Sequence, residues 1–399
     1  MNNKFIYYSD LNDKIPNEIM RKNINLFAKK LKKSPIQILR FADTKYKKFD
    51  IVVTPTYYIK IEGESYLYEN FSNIKLLNHF KNPYIISEKA NLTKVIEKNN
   101  FLSDIYPRTY IFKLNDTLKK EIDEFLRSFA PGDKKSLKSF SKEKLPGDKD
   151  NKAVMIVKPS NLRQGRDIQI FDNPEAIYNY MIENKSETYV IQKYISNPLL
   201  YEKRKFDIRI HVLLKKKTYK FSSGSSSGIK SYKTYFNDYG VIRTTSTEYT
   251  NKLTGDWNKD KFVHITNHAI QKYNENYEKY EKGNCIIWNT LNPENKVIRN
   301  DMIKIVKTLL NSCDLTPQKF DCYELLGFDF MIDENYKVWL LEVNINPGLS
   351  WNNIEVENLM DKMIYDTFDI VKLSDIDDKS VAPTSEACLV AKDSTWRKI

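Results

Sequence analysis

The clearest alternation in this chain is Lys205 to Val212, KFDIRIHV, where Phe206, Ile208, Ile210 and Val212 point one way and Lys205, Asp207, Arg209 and His211 the other. Two more strand-type runs, rich in aromatic and β-branched residues, flank Asp333-Glu334-Asn335-Tyr336 within Leu326 to Ser350 and predict a hairpin. With those four residues as the loop, Ile332 faces Lys337, Phe330 faces Trp339 and Asp329 faces Leu340. Glu342 and Asn344 then share a face with Asp329. Asp329 and Glu342 become diagonal neighbours, roughly 7–8 Å apart at Cα. Asn346-Pro347-Gly348 is a turn that ends the second strand beside them.

Residues 1–75 read as a small mixed lobe, with a helix near Asn17 to Lys32 and strands around Ile51 to Val53 and Tyr57 to Ile61. Helices are expected at Asn70 to Phe80 and at Ser87 to Lys98, the second capped by Ser87. A central lobe over 76–195 continues with a strand at Tyr106 to Phe112 and an amphipathic helix from Leu118 to Phe129. Residues 132–152, almost without apolar side chains, are expected to form a flexible loop. Ala153 to Phe171 reads as strand, polar loop and strand, Asn173-Pro174 opens a helix, and Tyr189 to Ile195 is an apolar strand. A C-terminal lobe over 196–374 takes in the KFDIRIHV strand, a flexible tip at Phe221 to Gly228, and a strand at Val241 to Thr244. It also holds a helical stretch opened by His264 to His268, and helices at Asn300 to Ser312 and Ile354 to Val371. Residues 375–399 are expected to be a loose tail. The mixture predicts an α/β (α+β) fold with an antiparallel sheet in the C-terminal lobe.

Composition narrows the partners. Hydrophobic residues at 41% and aromatics at 13% supply the 399-residue chain with enough apolar surface for two or three packed lobes. An excess of 64 Lys+Arg over 52 Asp+Glu, a net +12, favours an anionic partner. Aromatics do not recur within basic strands in the RNA-binding pattern, so no nucleic acid is expected. Four cysteines without CxxC or zinc spacing read as reduced thiols. The start lacks a signal-peptide pattern and no run of ~18 apolar residues occurs, so a soluble intracellular protein without a membrane segment is expected.

The candidate chemistry follows from residue types. Asp329, Glu342 and Asn344 offer oxygen ligands of the kind that suit Mg²⁺; solvated acids on a half-exposed hairpin are the alternative. Lys158 at a strand mouth, with Arg163, Gly165 and Arg166 in the loop after it, suits phosphate oxygens. No GxxxxGK[ST] loop is present, which excludes that nucleotide-binding class. Gln192 and Lys193 end a strand where an adenine can meet backbone groups. Lys205, Asp207 and Arg209 describe either a groove that grips phosphate or carboxylate groups, or a sheet with one wet face; Val241 to Thr244 adds Arg243. His264 and His268, four apart, lack HExxH and a third ligand, so zinc is not expected.

Lys158, the FDIR segment, His-Ile-Thr-Asn-His and GFDFMID...VWLLEVN...P occur here in one order, and together they closely resemble the tubulin-tyrosine ligase-like family, which uses an ATP-grasp fold. The resemblance is strong from about Ala153 to Met363 and recognisable from Lys75 to Lys98. It implies ATP-dependent ligation of an amino acid to the acidic C-terminal tail of tubulin through an acyl phosphate, with ATP and Mg²⁺ as cofactors. The free amino acid, glutamate, glycine or tyrosine, is the co-substrate. By the same resemblance Lys158, Arg163, Gly165, Gln192, Lys193, Ile195 and Asn267 hold the nucleotide. Asp329, Glu342 and Asn344 hold the metal, and Lys205, Asp207, Arg209 and Arg243 orient the reacting groups. A monomer in the cytoplasm, at the cytoskeleton or in a cilium is implied. Gln164, Asp167 and His211 depart from the family pattern, which leaves a non-catalytic microtubule-binding relative, or a ligase for another acidic protein, as alternatives.

Overall fold

The computed structural model describes residues 4–9, 14–30, 32–38, 49–54, 58–61, 64–67, 74–114, 120, 154–160, 162, 165–184, 186–217, 232–280, 283–349, 351, 353–371 and 394–399. The loop expected at 132–152, the tip at Phe221 to Gly228, and nearly all of the helix expected at Leu118 to Phe129 lie outside them.

The first strands, β1 (Lys4–Ser9), β2 (Ser34–Ile38) and β3 (Phe49–Val53), pair in parallel, with helix α1 (Lys14–Lys30) between β1 and β2. β4 (Tyr58–Ile61) and β5 (Glu64–Leu67) form a separate antiparallel pair. Where the pattern predicts a helix over Asn70 to Phe80, the chain forms strand β6 (Ile74–Leu77), parallel to β3. Ile74, Leu76 and Leu77 satisfy either period, and burial beside β3 decides for the strand. Next come α2 (Tyr84–Ser87), α3 (Lys89–Ile96) and α4 (Asn100–Ile105). Ser87 is therefore the last residue of α2 and not a cap, because Glu88 is extended and breaks the helix. Asn99 does cap: its side chain accepts from the Leu102 amide at 3.1 Å.

Strands β7 (Thr109–Lys113), β8 (Met155–Pro159), β9 (Gln169–Phe171) and β10 (Thr188–Lys193) form a four-stranded antiparallel sheet in the order β7-β10-β8-β9. Helix α5 (Pro174–Asn184) follows β9, and Asn173 Oδ1 accepts from the Glu175 amide at its start. Ile177 and Met181 of α5 bury against Val157 and Ile191, so one face of this sheet is closed.

The C-terminal part begins with β11 (Leu200–Tyr201), β12 (Arg204–Lys216) and β13 (Tyr232–Thr244). Helices α6 (Trp257–His264) and α7 (His268–Gln271) are separated by the extended step Ile265 to Asn267, so the predicted helical opening at His264 is a junction between two helices. β14 (Cys285–Asn289), α8 (Lys296–Ser312), β15 (Asp321–Ile332), β16 (Val338–Ile345) and α9 (Ile354–Val371) complete the lobe. Strands β14-β13-β12-β15 are antiparallel neighbours. Asp321 and Cys322 of β15 then pair in parallel with β6, so the N-terminal and C-terminal strands share one eleven-stranded sheet.

Helices cover both faces of that sheet. Met302, Ile305, Val306, Leu309 and Leu310 recur at helical spacing and join Phe206, Ile208, Ile210 and Val212 in one core. On the other face Val356, Met360, Ile364 and Phe368 of α9 pack with Leu213, Tyr235 and Leu325. Lys205, Asp207, Arg209 and His211 share the face of Leu213 but lie nearer the start of β12, where Lys205 and Asp207 face Lys158 and Gln192 of the four-stranded sheet across a cleft. All four are buried, so the solvent-washed face does not occur.

Of the tail expected over 375–399, residues 375–393 lie outside the described residues, and the remainder needs correction. Strand β17 (Trp396–Lys398) pairs with Tyr235 to Asn237 of β13, and Trp396 is fully buried. Its indole Nε1 donates to Met363 O and Thr367 Oγ1, both at 3.2 Å, while Arg397 Nε meets Asp238 Oδ2 at 2.6 Å. One aromatic in a groove made by distant elements leaves no local periodicity to read. Trp396→Ala should cost about 3–5 kcal/mol, as truncation of a buried aromatic does. Urea unfolding measures it, and an unchanged midpoint would contradict the docked strand.

Candidate active site

Register places the charged side chains in a row. Asp207 of β12 stands opposite Arg243 of β13, and Arg209 opposite Asp329 of β15. On the far side of β15, Asp329 pairs directly with Glu342 of β16. The diagonal arrangement predicted from the sequence is thus replaced by a direct pair. Two one-residue offsets run the same way and add: Ile332 pairs with Val338 and not Lys337, and Leu341 is an extra, bulged residue between the Phe330–Leu340 and Asp329–Glu342 pairs, which moves Glu342 from the diagonal to the position opposite Asp329. The bulge returns Glu342 to the face of Asp329 and turns Leu341 into the cleft.

Asp329 is 2% exposed and bound by two guanidinium groups. Arg209 is bidentate, Nε to Oδ1 and Nη2 to Oδ2, both at 2.7 Å, and Arg243 Nη2 reaches Oδ2 at 2.8 Å. Burial alone would raise the Asp329 pKa, but the two arginines more than reverse this and hold it well below the usual carboxylate range. Arg243 Nε also donates to Asp207 Oδ1 at 2.6 Å, and Thr266 Oγ1 donates to the other Asp207 oxygen. Burial pushes Asp207 up against the pull of Arg243, and the charge of Asp329 adds to the rise. Gly327 leaves room for this packing: a Cβ there would lie 2.8 Å from Pro347 Cβ and 3.3 Å from Arg209 Nε.

Two buried lysines complete the site: Lys158 on the four-stranded sheet that faces the row, and Lys205 on β12 itself, two residues before Asp207. Lys158 Nζ donates to Gln192 Oε1 at 2.8 Å, and Gln192 Nε2 donates to Thr109 Oγ1 at 2.8 Å. Burial pushes Lys158 down to about 8, against the attraction of Glu342. Lys205 Nζ donates to Tyr194 OH at 2.7 Å, which lies 2.9 Å from His264 Nδ1. Burial, then the charge of Lys158, hold Lys205 well below the usual lysine range. Burial likewise takes His264 to about 4.

A cleft of about 610 Å³ brings together Lys158, Gln192, Lys193, Ile195, Lys205, Asp207, Arg243, Asn267, Asp329 and Glu342, ten of the residues singled out in the sequence. Arg209 and Asn344 stand behind its lining, in contact with Asp329 and Glu342. Gly165, at φ 72°, packs against Asn267, where a Cβ would come within 3.2 Å of Asn267 Cγ. Arg163 and Gln164 lie outside the described residues. Asp167 has an exposed side chain and does not line the cleft. Sequence reasoning missed Tyr194, His264, Thr266, Met331 and Leu341. Alternation from Gln192 gives Tyr194, and Thr266 sits inside the motif that supplied Asn267.

The carboxylate end fits a hard cation. Asn344 Nδ2 lies 3.1 Å from Glu342 Oε1 and 3.4 Å from Asp329 Oδ2, and a half-turn of the amide presents its oxygen instead. No cluster of three His, Cys, Asp or Glu occurs among the described residues. Two carboxylates and an amide match Mg²⁺, which keeps waters and substrate phosphates in its shell, better than a cation held wholly by protein.

A mixed α/β fold with a small antiparallel sheet closing over this charged strand row is ATP-grasp-like. The profile of the tubulin-tyrosine ligase family matches residues 68–380, and the chain belongs to that family, whose members are ATP-dependent ligases. It is 28% identical over 235 residues to tubulin glycylase 3B of Tetrahymena thermophila, covering 55% of this chain and 18% of that protein. It is 31% identical over 232 residues to the probable tubulin polyglutamylase TTLL2 of Mus musculus, covering 55% and 39%. A longer match, 25% identical over 349 residues, joins it to the probable alpha-tubulin polyglutamylase Ttll1 of Tetrahymena thermophila, covering 77% and 75%. The chain therefore spans well under half the length of the first two relatives.

His264 gives a pH test. Its native pKa of about 4 lies below the ordinary 6.5. Between these values the unfolded chain binds a proton that the native chain does not, so stability present above pH 6.5 is lost as pH falls toward 4. The loss is about 3 kcal/mol. His264→Gln should flatten the stability profile over this window in urea titrations; an unchanged slope would show that His264 is not held neutral by burial.

Proposed function

We propose that this chain is an ATP-dependent ligase that joins an amino acid to a glutamate-rich tubulin tail through an acyl phosphate. The observation that carries the reading is the continuous row Thr266, Asp207, Arg243, Asp329 and Arg209, with Glu342 and Asn344 at its end and the buried Lys205 beside it on β12, facing the buried Lys158 across one cleft. Among the described residues, neither of the buried lysines Lys158 and Lys205 has a carboxylate within ion-pair distance. A polyphosphate resolves that conflict. Lys158 then neutralises phosphate charge, and Gln192, Lys193 and Ile195 line the adenine end with Asn267 and Gly165 nearby. Asp329, Glu342 and Asn344 would hold Mg²⁺, which would supply charge stabilisation on the transferring phosphoryl group.

The arginines fix the geometry of the reacting groups. A tail carboxylate oxygen attacks the γ-phosphorus, the bond to the β-phosphate oxygen breaks, and ADP leaves. The amine nitrogen of the amino acid then attacks the acyl carbon, and phosphate departs as the amide forms. Lys205, Asp207, Arg209 and Arg243 keep this end of the cleft rigid and positively biased as negative charge develops. The net charge of +12 favours encounter with an acidic tail and a cytoskeletal setting. Relatives named as glycylases and polyglutamylases support glycine or glutamate over tyrosine.

Purified protein is incubated with ATP, tubulin and labelled glycine, glutamate or tyrosine, each separately. Incorporation of glycine or glutamate is expected, and Glu342→Gln should reduce it by roughly 100-fold or more, the consequence of removing several kcal/mol of charge stabilisation. Microtubule binding with no incorporation of any of the three would replace this reading with a binding-only one, and incorporation into tubulin lacking its tails would move the acceptor elsewhere.

A further inference from the structure

The turn Asn346-Pro347-Gly348 begins two residues beyond Asn344, and none of the roles above uses it. Asn346 is in the left-handed region, φ 46°, and its side chain enters a buried polar cluster. Its Nδ2 donates to Thr54 O at 3.1 Å and lies 3.1 Å from His79 Nε2, while its Oδ1 accepts from Asn78 Nδ2 at 3.2 Å. Asn78 in turn clamps Thr54, accepting from its amide at 3.0 Å and donating to its carbonyl at 2.9 Å. His79 Nδ1 donates to Glu324 Oε1 of β15 at 3.0 Å, and Glu324 Oε2 also accepts from the Phe80 amide at 2.9 Å. Thr54, Asn78, His79 and Glu324 are at most 4% exposed.

These contacts tie together the ends of β3, β6 and β16 and the body of β15. An apolar cluster would tolerate sliding, whereas a buried polar network keeps its bonds in only one arrangement. On the other side of the turn, Pro347 packs over Gly327 beside the guanidinium of Arg209. The turn is thus held by the N-terminal strands and lies over Gly327, which Arg209, the arginine that grips Asp329, also approaches.

We propose that His79, Glu324 and Asn346 are positioning residues, which fix the end of β16 and thereby set Glu342 and Asn344 at the phosphate end of the cleft. The assignment rests on the ligase reading above. Partners of metal ligands typically change metal affinity by 10–100-fold when removed, and these residues act in that way through the strand end.

The test titrates Mg²⁺ against binding of a fluorescent ATP analogue. Asn346→Gly keeps the left-handed backbone, which glycine adopts freely, and removes only the tether. His79→Gln combined with Glu324→Gln removes the buried ionisable pair together, leaving no orphan charge. Both variants should need about ten-fold more Mg²⁺ or higher for half-saturation, with nucleotide affinity in the absence of Mg²⁺ unchanged. A role confined to stability would lower the melting temperature and leave the Mg²⁺ requirement where it was. A wild-type Mg²⁺ requirement in folded Asn346→Gly overturns the proposal alone, whatever the double variant does. Wild-type protein that shows no Mg²⁺-dependent nucleotide binding overturns the ligase reading and this assignment with it.

Discussion

A carboxylate buried between two guanidinium groups is the constraint on which the rest of the structure depends. An isolated Asp329 at this depth would take up a proton rather than stay charged. Arg209 comes from the neighbouring strand and Arg243 from the strand beyond, so the order β13-β12-β15 is required for both to reach it. Asp207 and Thr266 then fix Arg243, which brings the extended step between α6 and α7 to the rim of the cleft. Two arginines balance two aspartates, and Glu342 and the lysines are the cleft-lining charges outside that ion-paired row. The glycines follow from the same packing. A Cβ at Gly240 would meet Ile210 Cδ1 at 2.6 Å and the Arg209 carbonyl at 3.1 Å, and one at Gly327 would displace Pro347 or Arg209.

Much of this was legible because the charged residues sit on strands whose alternation is strict. Lys205, Asp207 and Arg209 follow from one strand read by eye, and Asp329 and Glu342 from one hairpin. Asp329 and Glu342 meet in a different register from the expected one: the loop is one residue longer than four and the bulge at Leu341 adds a second residue, so the pair is direct and not diagonal. Bulges depend on cross-strand packing, which a single strand does not record. The burial of β12 on both faces was equally hidden, since its wet-looking side is covered by a second sheet distant in sequence.

The remaining misses share that origin. Ile74 to Leu77 fits helical and extended periods alike, and the pairing with β3 decides. Trp396 and the His79–Glu324–Asn346 cluster are long-range contacts between segments that look ordinary alone. Tyr194 was within reach of simple alternation from Gln192, and His264 stood in the quoted motif, where its spacing from His268 raised only a metal reading.

The proposed function gives these features one chemistry, transfer of a phosphoryl group to a carboxylate before the amine arrives. Positional isotope exchange tests it most directly. ATP labelled in the β–γ bridging oxygen is incubated with the protein, Mg²⁺ and tubulin, with no amino acid present. Reversible transfer to a tail carboxylate frees the β-phosphate to rotate, so the label should scramble into non-bridging positions only when tubulin tails are present. Nucleotide that binds yet keeps its label in the bridge would contradict the acyl-phosphate account.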